Sequence, residues 1–426
     1  MHDEQVVFVS TIYPYPADWG KKVVLSGMLR YLSERYSPQR VTYILLGSSN
    51  HKKSLRKEMP CRVLTLKKPG VLKQLWNVLW LSLIKREKSI QESMLYSVQL
   101  GRKLRASIAK IAPDLVVCDT YRTGQFFETT ERPGRRYILY MDDLFSVRYR
   151  RMLEVLARFT QVHLNLLGTF AQFVPSSLAV FVRFRSLKKW VLQMEQKLVE
   201  KREQDCIKWF DSAVLLNEAE AALLRSRTGD SSIQTIKPLL LNTRKVIDRD
   251  YNGEPIFIFM GALNLPHNDL SIRNFIETQM PKVVETIPGI RLRIIGRDPS
   301  KELLELSERY KNIISLEGFV DDLDAVFSNS CAILVPLLFG SGVKIKTLEA
   351  LSRGLPVIST DFGVEGISVT STVNCIVEND IGRYHEVMSA LLGLDYNSSI
   401  SSQAREFYFR NYSKEHVFQE YDLIFG

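Results

Sequence analysis

Apolar residues along this chain recur in two ways, as short unbroken runs and as helical stripes. Residues 6–12 form an apolar run, a loop marked by Pro14, Pro16 and Gly20 follows, and Val24, Leu25, Met28, Leu29 and Leu32 then repeat at helical spacing. Val41 to Leu46 is the next run, ended by Gly47, and Leu115 to Cys118 and Tyr137 to Met141 are further short buried strands. This β-loop-α-β opening predicts a parallel sheet. The second half alternates more cleanly. Strands are expected at Ile256 to Met260, Leu292 to Ile295, Ile313 to Leu316, Ala332 to Val335 and Val357 to Ser359. Helices are expected at 268–286, 300–310, 321–328 and 343–353. That is a doubly wound α/β domain, whose ligand sits beyond the carboxyl ends of its strands.

Two stretches break the alternation. In Val71 to Ile84, residues Leu72, Leu75, Trp76, Leu79, Trp80 and Leu83 share one stripe, with Lys67, Lys68 and Lys73 before and Lys85, Arg86 and Lys88 after. Met152 to Phe184 is apolar but broken by Gln161, His163, Asn165 and Pro175, and ends in Arg183, Arg185, Lys188 and Lys189. Neither has the ~20 clean apolar residues that a spanning helix needs. Both fit helices lying in a membrane interface, and both also fit ordinary core helices.

At 426 residues the chain is long for one hydrophobic core, so two domains are expected. A hydrophobic share of 45% with 24% charged residues excludes bulk disorder. The five scattered cysteines, without Cys-x-x-Cys spacing, suit reduced thiols in a cytoplasm and argue against a disulfide framework or a zinc site. No signal peptide is read at residues 1–10. Charge divides the chain: residues 1–246 hold 41 basic and 22 acidic residues, net +19, whereas residues 247–426 hold 16 and 25, net −9. A basic half serves an anionic surface, an anionic substrate or a nucleic acid, or is simply a solvated basic face. The aromatic-plus-basic pattern of an RNA-binding sheet is missing, so no nucleic-acid partner is expected.

The strongest chemical signal is PLLFGSGVKIKTLEALSRGLP, Pro336 to Pro356. A glycine-containing loop opening a helix is an anion site, because unpaired backbone N–H groups sit at the positive end of the helix dipole. Gly340 and Gly342 let the backbone approach a phosphate, and Lys344 and Lys346 add positive charge where the dipole disfavours it. Glu349, one turn on, is placed to accept hydrogen bonds from sugar or ribose hydroxyls. The loop is not a Walker A, lacking Gly-Lys-Ser/Thr at the needed spacing. Asp322-Leu-Asp324 reads as acids at a helix start rather than a metal motif, Glu195 to Glu203 reads as a solvated helical face, and the histidines show no metal spacing. No metal site is expected; His267, beside the phosphate-facing loop, is the one histidine of interest.

Residues 256–368 resemble the donor domain of retaining glycosyltransferase family 4, carried by FMGALNLPHN (Phe259 to Asn268), RLRIIGRDP (Arg291 to Pro299), LEGFVDDL (Leu316 to Leu323), GSGVKIKTLEAL and GLPVISTDFGVEGI (Gly354 to Ile367). The resemblance implies a GT-B fold, two Rossmann-like doubly wound domains facing a central cleft. It implies that Gly342, Lys344 and Lys346 meet the donor phosphates and Glu349 the ribose, that the backbone near Phe319 holds the base, and that Gly261, Asn264, Arg297, Gly340 and Ser341 complete the donor site. Many members carry two glutamates eight positions apart; here the partner of Glu349 is Ser341. In the first half, TIYPYPADWGKKVVLSGMLRYL resembles the family's opening loop, with Gly20 facing the donor diphosphate. YMDDLFSVRYRR resembles the strand end near the reaction centre, where Asp142 or Asp143, with Arg148, is expected to orient the acceptor or the transferring sugar; a helix-capping role is the alternative.

The domains expected are 1–246 for the acceptor, containing segments 71–84 and 152–184, 247–404 for the nucleotide sugar, and a helix over 405–426 crossing back. The function implied is metal-independent, retaining hexosyl transfer from a UDP- or GDP-sugar, with no other cofactor. The expected acceptor is a saccharide or lipid-linked glycan in cell-surface polysaccharide synthesis, met in the cytoplasm at an anionic inner membrane surface. A sugar-nucleotide epimerase on the same architecture and a non-catalytic GT-B partner subunit are the alternatives.

Overall fold

The structure, a computed structural model, describes residues 4–47, 58–128, 134–158, 185–241 and 249–426. The chain forms two compact units, residues 1–150 with 190–241 and 414–426, and residues 151–189 with 242–413. Most of the expected apolar stretch 152–184, from residue 159 on, and residues 242–248 at the expected boundary lie outside the described residues.

The first unit holds strands β1 (Val6–Ser10), β2 (Val41–Leu46), β3 (Arg62–Leu66), β4 (Leu115–Asp119), β5 (Arg136–Asp142), β6 (Ser212–Leu215) and β7 (Ile233–Thr235), in the order β3-β2-β1-β4-β5-β6-β7. All pairings are parallel; Val6 of β1 stands opposite Val41 of β2 and Leu115 of β4. The central strands are buried along their whole length, as their unbroken Val, Ile and Leu runs require in a sheet covered on both faces. The helix Gly20–Tyr36 packs Leu25, Met28, Leu29 and Leu32 into this core.

The second unit holds β8 (Ile256–Met260), β9 (Arg291–Ile295), β10 (Ile314–Gly318), β11 (Ala332–Val335), β12 (Val357–Ser359) and β13 (Ile376–Val377), in the order β10-β9-β8-β11-β12-β13, again wholly parallel. In both sheets the winding direction reverses at one place, between β1 and β4 and between β8 and β11. Two loops leaving such neighbours diverge to opposite faces and open a crevice at their carboxyl ends. The candidate site in each unit is built there.

The expected terminal helix is two helices. Leu394–Tyr412 belongs to the second unit, where its Asn397 donates to the Cys331 carbonyl (3.0 Å) and accepts from Arg249 (2.8 Å). Lys414–Phe425 belongs to the first, where the Tyr31 ring meets the Tyr421 ring edge-on at 5.2 Å and Tyr31 Oη donates to Asp422 (2.8 Å). Extended backbone at Ser413 separates them. Arg136 closes the end of the chain on the first sheet, donating to the Ile424 and Gly426 carbonyls.

The helix Arg185–Ile207 corrects the reading of Glu195 to Glu203 as a solvated face. Glu195, Arg202 and Glu203 are buried. Glu195 accepts from the Ile90 N–H (2.8 Å), Arg202 pairs with the fully buried Glu92 (2.9 Å), and Glu203 accepts from the Ser146 N–H (3.2 Å). Each carboxylate satisfies a donor more than fifty residues away in sequence, so charge spacing on the helix itself could not reveal it. Burial pushes both the Glu195 and the Glu203 carboxyls up to about 8.

Candidate active site

In the second unit the loops leaving β8, β9 and β10 are laced by backbone hydrogen bonds. Gly261 N–H donates to the Ile295 carbonyl (2.9 Å), Leu263 N–H to that of Arg297 (3.1 Å) and Gly296 N–H to that of Gly318 (2.7 Å). The approach is so close that a Cβ at Gly296 would lie 1.9 Å from the Gly261 oxygen, which explains a glycine there. Beyond these ends the Arg297 guanidinium lies 4.2 Å over the exposed Phe319 ring. Asn264 is exposed at the same end.

The loop Pro336 to Lys344 leaves β11 and opens the helix Ile345–Ser352, with Lys344 as its N-cap. Gly342 has φ of 67°, a backbone conformation that a side chain disfavours. Lys344 is buried and donates to the carbonyls of Ser341 (2.9 Å) and Gly342 (2.6 Å), so its ammonium closes the loop on itself. Lys346 reaches the first turn of the helix Pro266–Thr286 that follows β8, donating to Asn268 Oδ1 (2.6 Å) with its ammonium 4.7 Å over the Phe259 ring. Burial, and secondarily the charge of Lys344, pull Lys346 down to about 7. An anion beside Lys346 would favour its charged form, whereas Lys344 already has the Glu365 carboxylate at 4.0 Å. Further bonds hold the loop: Leu338 N–H donates to Ser271 Oγ (3.0 Å) and Thr360 Oγ1 donates to the Leu337 carbonyl (2.6 Å).

Glu349 faces Arg353, which also grips Asp324 (2.6 Å); burial pushes the Glu349 carboxyl up, opposed by Arg353. Asp322 caps its helix, accepting from Asp324 and Ala325 N–H groups (3.0 and 3.3 Å). His267 meets the Phe339 ring edge-on at 6.3 Å. Among the described residues no group of three or more His, Cys, Asp or Glu is placed to hold a metal ion.

One feature of this unit escaped sequence reasoning. Arg151 makes a two-pronged ion pair with Glu365 (2.6 and 2.7 Å) and also donates to the Gly340 carbonyl. Glu365 lies 4.0 Å from the Lys344 ammonium. The GVEGI segment contains Glu365, but nothing in its local pattern names an arginine more than two hundred positions earlier.

In the first unit Gly20 is the first residue of the helix after β1, and the next residue, Lys21, is buried at the switch point. Its ammonium lies 2.6 Å from Asp119 at the end of β4 and 3.3 Å from Asp142 at the end of β5, 4.2 Å over the Tyr140 ring. Ser10, ending β1, donates to Asp119 (2.5 Å), and Tyr140 donates to Asp142 (2.6 Å). Asp142 has φ of 71°, unusual for a residue with a side chain. Burial, opposed by Lys21, pushes its carboxyl up. Asp143 is buried and paired with Arg148, whose guanidinium lies 4.7 Å over the Phe145 ring. The two adjacent acids therefore have different surroundings, Asp142 in the strand-end cluster with Lys21 and Asp143 against Arg148. At the start of the helix Phe145–Arg158, the N–H groups of Leu144 and Ser146 donate to Glu220 (2.7 Å) and Glu203 (3.2 Å). Lys21 and Asp119 were not singled out in the sequence, although Lys21 adjoins the chosen Gly20.

Residues 254–393 match the family described as Glycosyl transferases group 1. An uncharacterised 44.6 kDa protein in the cps region of Klebsiella pneumoniae is 30% identical over 173 residues, which cover 38% of this chain and 43% of that relative, so the match spans less than half of either. Solved structures align over nearly the whole chain. TarM of S. aureus, in complex with fondaparinux, alpha-GlcNAc-glycerol and UDP, has a TM-score of 0.68 at 10% identity, covering 99% of this chain and 100% of that one. Sucrose-phosphate synthase from Thermosynechococcus elongatus has 0.65 at 15%, covering 99% and 98%. HepE of Anabaena, with UDP and glucose, has 0.62 at 12%, covering 99% and 98%. At such identities the likeness is one of fold. The chain has the GT-B fold, and residues 254–393 within it are similar to the glycosyl transferases group 1 family.

Proposed function

We propose that this protein transfers a hexosyl group from a UDP- or GDP-sugar to an acceptor hydroxyl, with retention at the anomeric carbon and without a metal ion. The observation that carries the reading is the placement of Lys344 and Lys346 where the glycine loop opens its helix at the β8/β11 switch point, with Lys346 drawn against Asn268. The donor's diphosphate takes the bonding electrons as the bond from its terminal phosphate to the anomeric carbon breaks. The lysines and the backbone dipoles at the helix start stabilise that charge, which is the task a metal performs elsewhere. The acceptor oxygen bonds to the anomeric carbon on the face the phosphate leaves, and its proton passes to the departing phosphate oxygen. Asp142, held by Lys21 and Tyr140, orients the acceptor or the transferring sugar. Asp143 and Arg148 brace that strand end, and Phe319 with Arg297 receives the base.

The acceptor in this reading is a saccharide on a lipid carrier, used in cell-surface polysaccharide synthesis at the inner face of the membrane. The net +19 of residues 1–246 supports it, as do the cps-region relative and the lipopolysaccharide outer core galactosyltransferase WaaB, a fold neighbour at a TM-score of 0.60. A panel of UDP- and GDP-sugars, incubated with a lipid-linked oligosaccharide, tests it by product mass and by the anomeric proton coupling in NMR. Transfer with retention, unaffected by EDTA, is expected. Donor epimerised without transfer would replace the reading by an epimerase. An inverted product or Mn²⁺-dependent activity would refute the mechanism.

A further inference from the structure

The stretch Val71 to Ile84 folds with its faces inverted. It is helical from Val71 to Asn77 and continues as a wider π-helical turn from Val78 to Ile84, where Lys85 N–H reaches back to the Trp80 carbonyl (2.9 Å). The polar residues face inward. Asn77 donates to the carbonyls of Ser93 (3.0 Å) and Tyr96 (2.7 Å), Ser82 to Ser93 Oγ (2.8 Å) and Gln74 to the Pro69 carbonyl (2.7 Å), and all three are buried. The apolar residues face outward: Leu72 is 85% exposed, Trp76 58% and Trp80 42%, with Val71, Leu79 and Ile84 exposed beside them. The two indoles stack at 6.4 Å. An ordinary surface helix turns its apolar stripe to the core. Here the buried hydrogen bonds to the segment Ser89 to Tyr96 fix the opposite orientation, so the apolar face is held outward by the fold rather than left over by it.

Charge says what covers this face. No Asp or Glu occurs between Glu58 and Glu87, while Lys67, Lys68, Lys73, Lys85 and Arg86 fall in or beside the stretch. Lys67, Lys73, Lys85 and Arg86 are exposed, and Glu87 offsets only Lys85, at 3.5 Å. A protein core or a dimer seam is depleted of such a lysine rim. An interface helix in an anionic bilayer needs it, with indoles at head-group depth and ammonium groups on phosphates. No described helix is long and apolar enough to cross a membrane.

We propose that residues 71–84 are the seat of the first unit on an anionic lipid surface, with Leu72, Trp76, Leu79, Trp80 and Ile84 inserted and Lys67, Lys73, Lys85 and Arg86 on the head groups. The inference names the element behind the lipid-linked acceptor in the function proposed above, and it is measured without any sugar nucleotide, so the two readings fail separately. The experiment uses the full chain with phosphatidylcholine vesicles, with and without phosphatidylglycerol, and with bromine-labelled acyl chains. Co-sedimentation with anionic vesicles, quenching of indole fluorescence by the brominated chains and a salt-resistant residue of binding are expected. Trp76→Ser/Trp80→Ser should lower partitioning roughly ten-fold or more and abolish most of the quenching. The same variant should keep the wild-type thermal shift with UDP or GDP, which shows that it is folded. Failure of the wild type to bind anionic vesicles overturns the proposal. So does equal binding to neutral vesicles, or a double-tryptophan variant that binds as well as wild type. A concentration-dependent dimer that this variant dissociates, without lipid binding, would assign the face to a second copy instead.

Discussion

Lys346 should make nucleotide binding pH-dependent through the uptake of a proton. Its ammonium sits 2.6 Å from a neutral amide oxygen and over an aromatic ring, and burial with the neighbouring Lys344 brings it from 10.5 down to about 7. A bound diphosphate places negative charge beside it and restores the ordinary lysine range. At pH 8 about nine-tenths of the free protein is then neutral at this site, so binding takes up about 0.9 proton. Between about pH 7 and pH 10 the dissociation constant for UDP or GDP should rise close to ten-fold per pH unit, about 1.4 kcal/mol. Above pH 7 the nucleotide's own terminal phosphate, with a second pKa of about 6, contributes little to the uptake. Titration calorimetry at pH 8 in buffers of different ionisation enthalpy measures the proton directly, and Lys346→Met should abolish it. In the free protein the sign is also fixed. The folded pKa lies below the unfolded one, so the unfolded chain binds the proton between about pH 7 and 10.5 and stability contributed by this site rises across that window. Zero uptake by the wild type at pH 8, or equal uptake by Lys346→Met, would refute the placement of this lysine in the donor pocket.

Glu203 should act in the opposite direction. Burial raises its carboxyl from 4.5 to about 8, so the folded chain holds a proton that the unfolded chain lacks between those values, and stability falls with rising pH there by up to about 1.4 kcal/mol per unit. Glu203→Gln keeps an acceptor for the Ser146 N–H and should flatten that slope in urea melts from pH 5 to 8; an unchanged slope would contradict a buried acid at this position. Lys21→Met should cost about 3–5 kcal/mol, because Asp119 and Asp142 lose their shared cation inside the unit. Adding Asp119→Asn should recover part of the loss, and full additivity of the two changes would mean that the cluster is not coupled.

The fold was legible where the sheet is buried on both faces. Val41 to Leu46, Ile256 to Met260, Ala332 to Val335 and Val357 to Ser359 are unbroken apolar runs, and the structure gives these strands the expected bounds. Of the strands that were missed, β3, β7 and β13 lack that signal. β3 and β7 are edge strands with exposed or half-exposed residues, and β13 is two residues long. β6 is a short run, Ser212 to Leu215, wedged between charged helices. The helix Ile90–Leu95 has a capping box in Ser89 and Glu92, but its six residues are too few to show an apolar stripe.

The site was legible to the degree that its partners are neighbours in sequence. The glycine loop with Lys344, Lys346 and Glu349 lies within ten residues, and strand-loop-helix geometry follows from that order alone. Asn268, Arg151 and Glu365 join the loop from far along the chain, and Lys21, Asp119 and Asp142 meet only because β1, β4 and β5 are adjacent in a sheet whose order differs from chain order. The same argument explains the error at Glu195 to Glu203. Alternating charge on a helix is a sign of solvent when its partners are on the same helix. Glu195, Arg202 and Glu203 are buried because their partners Ile90, Glu92 and Ser146 lie elsewhere in the chain, and one-dimensional spacing cannot separate the two cases. The stretch 71–84 is the converse. Its apolar stripe was plain in the sequence, but whether that stripe faces core or solvent is decided by Gln74, Asn77 and Ser82, the polar residues opposite, whose hydrogen bonds turn it outward. Hydrophobic periodicity thus locates a helix, and the partners of its polar face decide what the apolar one is for.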